Sequence, residues 1–414
     1  MALTNKFLIF LSFHLVLHYC GALNTHGASE ERISSSTYLV QANSDSLPVP
    51  EMVKKYGYKC EEHEYQTSDG YVNVLHRLLP QQPESLARKA VFLQHGLLGT
   101  SADFVMGSPE KSLGYILVDN GFDVWLGNAR GNIYSRKHIN LSINSDAYWD
   151  FSFDEMGMFD LPAAIHYILD RNTNSTQLDY IGHSMGTTMF WVAMDQNESW
   201  MKARIRMMFA LAPVAQVQHI RSPIRLLAPF SNQVEFLFRI LGIRQFEPTT
   251  TAMQLFEKYV CDETMFQLKL CEDALFLLCG FDQKQMNLTL LPIILGHEPG
   301  GTSTKTIIHF AQMVSSKAFR KFDLGYFGNL KHYGQSSPPK YQLRSVALPV
   351  TLLWSDNDWL ADPQDVDQLV KTLPNIQESY HVPMPEFNHI DFLWGLNATE
   401  YVYKKILLTL DKRT

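Results

Sequence analysis

The pentapeptide Gly-His-Ser-Met-Gly at residues 182–186 constrains the fold of this chain more strongly than any other segment. It follows a short apolar run, residues 178–181, and precedes a longer one, residues 187–194. The pattern predicts a buried strand, a tight turn and a helix. Glycine suits the two flanking positions because a Cβ atom there would clash where strand and helix approach each other. The turn would present Ser184 as a candidate nucleophile, with a serine in an ordinary glycine-rich turn as the alternative.

The sequence on either side of this turn predicts an α/β fold. Strand-like runs alternate with helical or loop stretches, at residues 71–77, 90–94, 123–126 and 178–181. Regular alternation of this kind is typical of a mostly parallel sheet covered by helices on both faces.

The alternation stops after residue 214 and resumes with a strand-like run at residues 347–354. The segments between have helical apolar spacing, followed by a stretch rich in Gly, Ser and Pro. We therefore predict one sheet in two parts, residues 51–214 and 340–414, separated by a mainly helical insertion at residues 215–339. Residues 230–241 of this insertion are a candidate lid over the site. Packed structural helices in a separate domain are the alternative.

The N-terminal residues predict export. Lys6 precedes an apolar run at residues 7–17, and small residues suited to peptidase cleavage follow, so residues 1–22 are predicted to be a secretory signal peptide. The run is shorter than the roughly 18 residues that span a bilayer, and it contains His14, so we expect no membrane anchor. Residues 23–50, rich in Ser, Thr and Asn, are predicted to form a flexible leader or propeptide.

Removal of the signal peptide would leave four cysteines in a compartment that permits disulfides: Cys60, Cys261, Cys271 and Cys279. Three complete pairings are possible. The short separation of Cys261 and Cys271 favours that bond, with Cys279 free and buried in an apolar run. Five N-glycosylation sequons agree with the secretory route, at Asn140, Asn174, Asn197, Asn287 and Asn397.

Charge and residue spacing argue against two classes of partner. The chain has a formal charge of -7 and lacks the clustered Lys and Arg that would neutralise nucleic-acid phosphates. Its 15 histidines show no metal-ligand spacing such as HExxH. We therefore expect neither a nucleic-acid partner nor a metal site, whereas the oligomeric state is not indicated.

A serine nucleophile needs a base within hydrogen-bond reach and an acid that orients the base. In the predicted fold both follow the serine in sequence, the acid first, each on a loop after a late strand. The strand at residues 347–354 is followed by three candidate acids, Asp356, Asp358 and Asp362. Asp358 is favoured and Asp356 is its rival, whereas Asp362 precedes a proline and is predicted to cap the next helix.

The base is predicted to be His389, which follows the last predicted strand and precedes an apolar helical run. His381 lies inside that strand and is the weaker candidate. His183 is adjacent to Ser184, but neighbouring residues of a tight turn point in divergent directions, so it is not expected to act as the base.

The reaction also requires an oxyanion hole of backbone N–H groups. The loop His-Gly-Leu-Leu-Gly, residues 95–99, follows a predicted strand and suits one donor. Met185, the residue after the serine, suits the other. His95 itself is expected to hold the loop by a hydrogen bond.

Beyond the serine turn, the chain resembles the animal acid lipase family, which includes lysosomal, gastric and many insect and nematode digestive lipases. The resemblance covers the chain after about residue 50. It rests on the blocks TSDGY, FLQHGLL, VWLGNARGN, FSFDEMGMFDLP, GHSMG, LADPQDV and FNHIDF.

The resemblance implies an α/β-hydrolase fold with a helical cap and lid, and no cofactor. Matched residue by residue, it places the family's triad on Ser184, Asp358 and His389, and its oxyanion donors on the backbone N–H groups of Leu97 and Met185. It implies a serine lipase that hydrolyses neutral lipid esters at a lipid–water interface, through an acyl-enzyme and at acidic pH.

The resemblance also places a cap disulfide on Cys261 and Cys271, and it implies a secreted or lysosomal enzyme. Two other functions are alternatives. One is a carboxylesterase or acyltransferase of the same fold, because a triad does not select the acyl chain or the acceptor. The other is a non-enzymatic lipid carrier, against which the complete set of Ser, Asp and His argues.

Overall fold

The computed structural model describes residues 47–80, 89–172, 175–226, 228–230, 243–246 and 276–411. Several predicted features lie outside these residues: the signal peptide, most of the leader, most of the candidate lid, Cys261, Cys271 and Asn174.

A nine-stranded sheet forms the centre of the described structure. Its strands are β1 (Lys59–Gln66), β2 (Tyr71–Leu79), β3 (Ala90–Gln94), β4 (Asp123–Gly127), β5 (Lys137–His138), β6 (Leu178–His183), β7 (Ile205–Leu211), β10 (Val350–Trp354) and β11 (Ile376–His381). Two further strands, β8 (Gln245–Phe246) and β9 (Thr302–Ser303), pair with each other in a separate small sheet. The spatial order of the large sheet is β1-β2-β4-β3-β6-β7-β10-β11, with β5 paired to β2. Strand β2 is antiparallel to its neighbours, and every pair from β4 to β11 is parallel.

Helices cover this sheet on both faces. They are α1 (Val49–Lys55), α2 (Leu113–Asp119), α3 (Leu161–Arg171), α4 (Met185–Arg204), α5 (Leu291–His297), α6 (Thr304–Ser316), α7 (Gly325–Tyr333), α8 (Pro363–Thr372), α9 (Asp391–Trp394) and α10 (Lys404–Asp411). A helical segment and a π-turn, Phe153–Glu155 and Met156–Asp160, run directly into α3. Because successive strand side chains point to opposite faces, the complete burial of β3, β4 and β6 requires cover on both.

The predicted strands are confirmed as β2, β3, β4, β6 and β10, and the strand-like segment containing His381 is β11. Five strands were missed: the two-residue strands β5, β8 and β9, and the longer strands β1 and β7. Strand β1 is an edge strand with the polar sequence KCEEHEYQ and little burial, so it lacks an apolar pattern. Strand β7 begins at Ile205, directly after α4 ends at Arg204, so no Gly or Pro marks its start.

The predicted leader at residues 23–50 extends too far into the chain. Helix α1 starts at Val49, directly after Pro48, and buries Val49 and Val53 completely. The Val49 N–H also donates a hydrogen bond to the Tyr134 hydroxyl at 3.1 Å. Residues 47–50 therefore belong to the folded core, because apolar burial and proline at the helix start fix them there.

Strands β7 and β10 are parallel neighbours, with Met208 opposite Val350. The chain between them includes α5, α6, α7, β8 and β9. This connection supports a mainly helical insertion into one sheet, and its predicted limits at residues 215–339 stay a prediction. Among the helices of the described ranges, none combines the length and apolarity that a bilayer crossing needs.

Candidate active site

Ser184 occupies the single position between β6 and α4, with φ 52° and ψ -117°. A positive φ is strained for a residue with a side chain, and such strain is typical of functional turns. A Cβ atom on Gly186 would lie 2.4 Å from the Gln94 carbonyl oxygen, and one on Gly182 would lie 2.9 Å from the Gly186 carbonyl carbon. The close approach of strand and helix therefore requires both glycines, as the sequence predicts.

The structure brings Ser184, His389 and Asp358 into one hydrogen-bonded line. The Ser184 Oγ lies 2.8 Å from the His389 Nε2 atom. The His389 Nδ1 atom lies 2.8 Å from Asp358 Oδ2 and 2.9 Å from Oδ1. All three side chains are buried. An ionised Asp358 accepts from Nδ1–H, so Nε2 keeps the lone pair that can accept the serine proton.

The other candidate acids do not approach His389. The Asp356 carboxylate is half-exposed and pairs with the His381 Nε2 atom at 3.0 Å. Asp362 is the N-cap of α8, and its side chain accepts a hydrogen bond from a backbone N–H of the first turn at 2.9 Å. The structure thus places Asp358, rather than its two neighbours, beside His389, and the capping role predicted for Asp362 is confirmed.

Backbone donors hold the Asp358 carboxylate. Its Oδ1 atom accepts from the N–H groups of Leu360 at 2.9 Å and Ala361 at 2.7 Å. The guanidinium of Arg221 donates to the Asp358 carbonyl oxygen at 2.7 Å and to that of Asp356 at 2.6 Å. Sequence reasoning missed Arg221, because a contact with a backbone carbonyl leaves no pattern of residue types.

Cys279 connects the loop that carries Asp358, called the acid loop, with the loop that carries His389, called the histidine loop. Its carbonyl oxygen accepts from the N–H groups of Trp359 at 3.2 Å and His389 at 3.4 Å. The thiol is free and buried, as predicted, and burial raises its pKa well above the ordinary value. Cys279 therefore positions the loops through its backbone, a role that sequence reasoning also missed.

The rings of His183 and His389 lie close together, with their centroids 5.0 Å apart. Its Nε2 atom is 2.9 Å from the His389 carbonyl oxygen, which can only accept, so Nε2 carries the proton. Burial, with the nearby His389, lowers the pKa of His183 to about 3. His183 is therefore a neutral donor that fixes the backbone of His389, and the sequence prediction that it is not the base agrees with this geometry.

The loop at residues 95–99 lies against Ser184, since a Cβ atom on Gly96 would be 3.1 Å from the Ser184 Cβ atom. The His95 Nδ1 atom donates to the Gly96 carbonyl oxygen at 2.8 Å, and its Nε2 atom accepts from the Ala129 N–H at 3.0 Å. Burial lowers the pKa of His95 to about 4. His95 thus holds the loop as a neutral residue, the hydrogen-bonding role predicted for it.

The backbone N–H groups of Leu97 and Met185 are among those around Ser184 that have no acceptor in the described ranges. One belongs to the loop that contacts Ser184, and the other belongs to the first residue of α4. Free N–H groups placed next to a nucleophile can stabilise a developing negative charge.

Outside this line of residues, the described ranges contain no cluster of three His, Cys, Asp or Glu side chains arranged to hold a metal ion. Asn140, Asn197 and Asn397 are exposed and Asn287 is half-buried. These positions are accessible enough for glycans, and glycosylation there stays a prediction.

Comparisons with known proteins show which proteins this chain is similar to. A model described as a partial alpha/beta-hydrolase lipase region matches residues 49–108, and one described as the alpha/beta hydrolase fold matches residues 89–243. The gastric triacylglycerol lipase of Bos taurus is 40% identical over 376 residues, which cover 89% of this chain and 92% of that protein.

Two further relatives are 38% identical. The lysosomal acid lipase/cholesteryl ester hydrolase of Homo sapiens matches over 372 residues, or 89% of this chain and 91% of that protein. Lipase lipl-1 of Caenorhabditis elegans matches over 371 residues, which cover 87% of this chain and 90% of that protein. The solved structure of DcsB with its substrate analogue superimposes with a TM-score of 0.50 at 11% identity, over 86% of this chain and 99% of that one, a likeness of fold alone. The predicted α/β-hydrolase fold is confirmed.

Proposed function

The chain belongs to the family of gastric and lysosomal acid lipases, and we propose on that basis that it hydrolyses the carboxylic ester bonds of neutral lipids. The hydrogen-bonded line from Ser184 through His389 to Asp358 is the observation that carries this proposal. Ser184 is the nucleophile, His389 the general base and acid, and Asp358 the group that orients the histidine.

Acylation begins when the Ser184 Oγ attacks the ester carbonyl carbon and passes its proton to the His389 Nε2 atom. The Asp358 carboxylate stabilises the imidazolium that forms, through the hydrogen bond to Nδ1–H. The N–H groups of Leu97 and Met185 hold the negative charge on the carbonyl oxygen. The tetrahedral intermediate then collapses, and His389 gives its proton to the departing glyceride or sterol oxygen.

Deacylation repeats these steps with water as the nucleophile. His389 removes a proton from water as the oxygen attacks the acyl carbon, and it then returns a proton to the Ser184 oxygen as the fatty acid leaves. Every proton transfer in the cycle passes through the His389 imidazole, so these steps need no cofactor.

An apolar segment next to the site supports a lipid substrate. Leu277, Leu278 and Phe281 flank Cys279 and are each more than 40% exposed, with values of 47%, 41% and 47%. Cys279 itself contacts the acid and histidine loops. A cluster of exposed apolar side chains beside a catalytic centre suits contact with a lipid–water interface. The lipid class follows the relatives, with triacylglycerols as substrates and cholesteryl esters as further candidates.

A substrate panel tests this function. We expect hydrolysis of emulsified triolein, and release of oleate from cholesteryl oleate, measured from about pH 4 to 8 beside a soluble short-chain ester. Hydrolysis of the short ester alone would favour the carboxylesterase alternative. Transfer of the acyl group to an added alcohol in preference to water would favour the acyltransferase, and binding of lipid without turnover would favour a carrier.

The compartment follows the same reasoning. The predicted signal peptide and sequons, together with gastric and lysosomal relatives, support a secreted or lysosomal enzyme. Detection of the N-glycosylated, signal-cleaved protein in medium or in lysosomes would decide between the two.

A variant of His183 tests the positioning of the general base. His183→Phe removes the hydrogen bond to the His389 carbonyl, and we expect kcat on the soluble ester to fall about fivefold, because a bond worth about 1 kcal/mol no longer fixes the backbone that carries the imidazole. His381→Phe is the matched control, since His381 is half-exposed and pairs with Asp356. Equal kcat values for the two variants would contradict the role given to His183.

A further inference from the structure

A pair of carboxyl groups joins the insertion to the oxyanion loop of residues 95–99. Asp103 is buried in the turn that follows this loop and forms a hydrogen bond with Glu298. The Oε2 atom of Glu298 accepts from the Gly300 N–H at 3.4 Å, and the same N–H donates to the Leu98 carbonyl oxygen at 2.5 Å. The segment around Glu298 therefore contacts the loop that carries the proposed Leu97 donor.

A second carboxyl pair joins the insertion to the histidine loop. Asp282 and Asp391 are both buried, at 2% and 1% exposure, and form a hydrogen bond with each other. Asp391 follows His389 by two residues, and its Oδ2 atom accepts from the Asn388 N–H at 2.6 Å. Asp282 accepts from the Lys284 N–H at 3.0 Å.

Each pair needs one proton. The Glu298 Oε1 and Asp282 Oδ2 atoms are buried, and neither finds a hydrogen-bond donor when both carboxyl groups of its pair are ionised. Two ionised carboxylates can only accept, so they repel each other in a buried site. A single shared proton converts the repulsion into an O–H···O⁻ hydrogen bond, one of the stronger kinds in proteins.

His297, next to Glu298 in sequence, adds two contacts with backbone carbonyl groups. Its Nδ1 atom lies 2.8 Å from the Ile293 carbonyl oxygen, and its Nε2 atom lies 2.8 Å from the Leu47 carbonyl oxygen. Both ring nitrogens therefore face backbone carbonyl oxygens, one within α5 and one at residue 47, and these contacts tie α5 to the segment before α1 beside the carboxyl pair.

Other ionisable groups lie around the two pairs. They are Tyr134 beside Glu298, and Asp358, Glu386, Lys284 and Cys279 beside the Asp282–Asp391 pair. Two of them, Asp358 and Glu386, are carboxylates whose charge opposes ionisation of the pair, while Lys284 is engaged with Glu386 at 3.0 Å.

The pH window follows from the direction of the pKa shifts. Burial raises the pKa of Asp103 to about 6, and burial and the facing carboxyl group raise the pKa of Glu298 and of Asp391 well above their ordinary values. A folded state with raised pKa values binds protons more tightly than the unfolded chain. The pairs therefore stabilise the structure fully below about pH 4, and this stabilisation is lost at higher pH, as the pH rises through the raised pKa values of the pairs.

We propose that Asp103, Glu298, Asp282 and Asp391 are positioning residues that hold the oxyanion and histidine loops against the insertion through one shared proton in each pair. The catalytic geometry is then assembled in acid and loosens when the pairs ionise. This inference rests on the proposed hydrolase function of the same site.

Amide variants test the proposal, because an amide N–H donates to the partner carboxylate at every pH. In the double variant Glu298→Gln/Asp282→Asn, we expect the alkaline limb of kcat/KM on a soluble short-chain ester to move up by about one pH unit, with the acid optimum changed less than about threefold. The reciprocal variant Asp103→Asn should shift the limb in the same direction. Glu400→Gln is the matched control, since Glu400 is exposed and pairs with Lys404 on the surface.

Unfolding in urea gives a readout that does not depend on turnover. The wild-type midpoint should fall as the pH rises above about 4 and passes through the raised pKa values of the pairs, and the double variant should lose most of that dependence. Coincident pH profiles of wild type and folded amide variants, in activity and in unfolding, would overturn the proposal. Absence of Ser184-dependent hydrolysis from every protein at every pH would instead refute the proposed function, and the unfolding midpoints would then decide the role of the pairs.

Discussion

Replacing Ser184 with alanine lowers kcat for ester hydrolysis by about 10⁶-fold, with the fold intact. The variant lacks the Oγ atom that lies 2.8 Å from the His389 Nε2 atom, so no acyl-enzyme can form. A triad acts as a unit, and loss of its nucleophile removes nearly all of its contribution. Initial rates on the soluble short-chain ester and on emulsified triolein measure the effect, and circular dichroism and the urea midpoint verify folding.

The matched control for this variant is Ser336→Ala. Ser336 is exposed and lies beyond α7, so its replacement should leave both rates within about twofold, as is usual for surface positions. Substantial turnover by the Ser184→Ala protein, above that of a mock purification, would show that another group performs the attack.

Asp358→Asn is expected to lower kcat by about 10⁴-fold. The amide would donate an N–H to the His389 Nδ1 atom, which forces the proton onto Nε2, and the ring could then no longer accept the proton of the serine. The backbone donors Leu360 and Ala361 can still bind the amide oxygen, so the loop should keep its shape. The pH dependence of the residual rate and a urea titration separate this effect from unfolding.

Asp356→Asn controls for the same chemical change two residues away. Its carboxylate is half-exposed and faces His381, so we expect kcat to stay within about twofold of the wild type. Comparable losses of kcat in the two variants, or a larger loss for Asp356→Asn, would show that Asp358 is not the acid that orients His389.

The sequence predicts the catalytic geometry well where a side-chain type and a strand end coincide. Ser184 is marked by two glycines whose Cβ atoms would clash, and Asp358 and His389 each follow a strand of the same sheet. Parallel strands deliver their carboxyl ends to one edge, so residues distant in sequence meet there. Composition alone could not separate Asp358 from Asp356, because both follow β10.

The residues that hold the catalytic loops in place could not be predicted from the sequence. Arg221 and Cys279 act on or through backbone carbonyl groups, and such contacts do not depend on a recognisable pattern of side chains. The carboxyl pairs depend on how the insertion folds back onto the core, which no local periodicity encodes. Strand β1 was hidden for another reason, since an edge strand exposed to water needs no apolar alternation.

Covalent labelling of the nucleophile tests the central claim most directly. A long-chain alkyl phosphonate with a p-nitrophenyl leaving group should react once per chain, with the Ser184 oxygen bonded to phosphorus and one p-nitrophenolate released. The account predicts that peptide mass spectrometry finds the adduct on Ser184 alone, and that triolein hydrolysis falls in proportion to labelling. Full hydrolysis by completely labelled protein, or inactivation with the adduct on another residue, would contradict it.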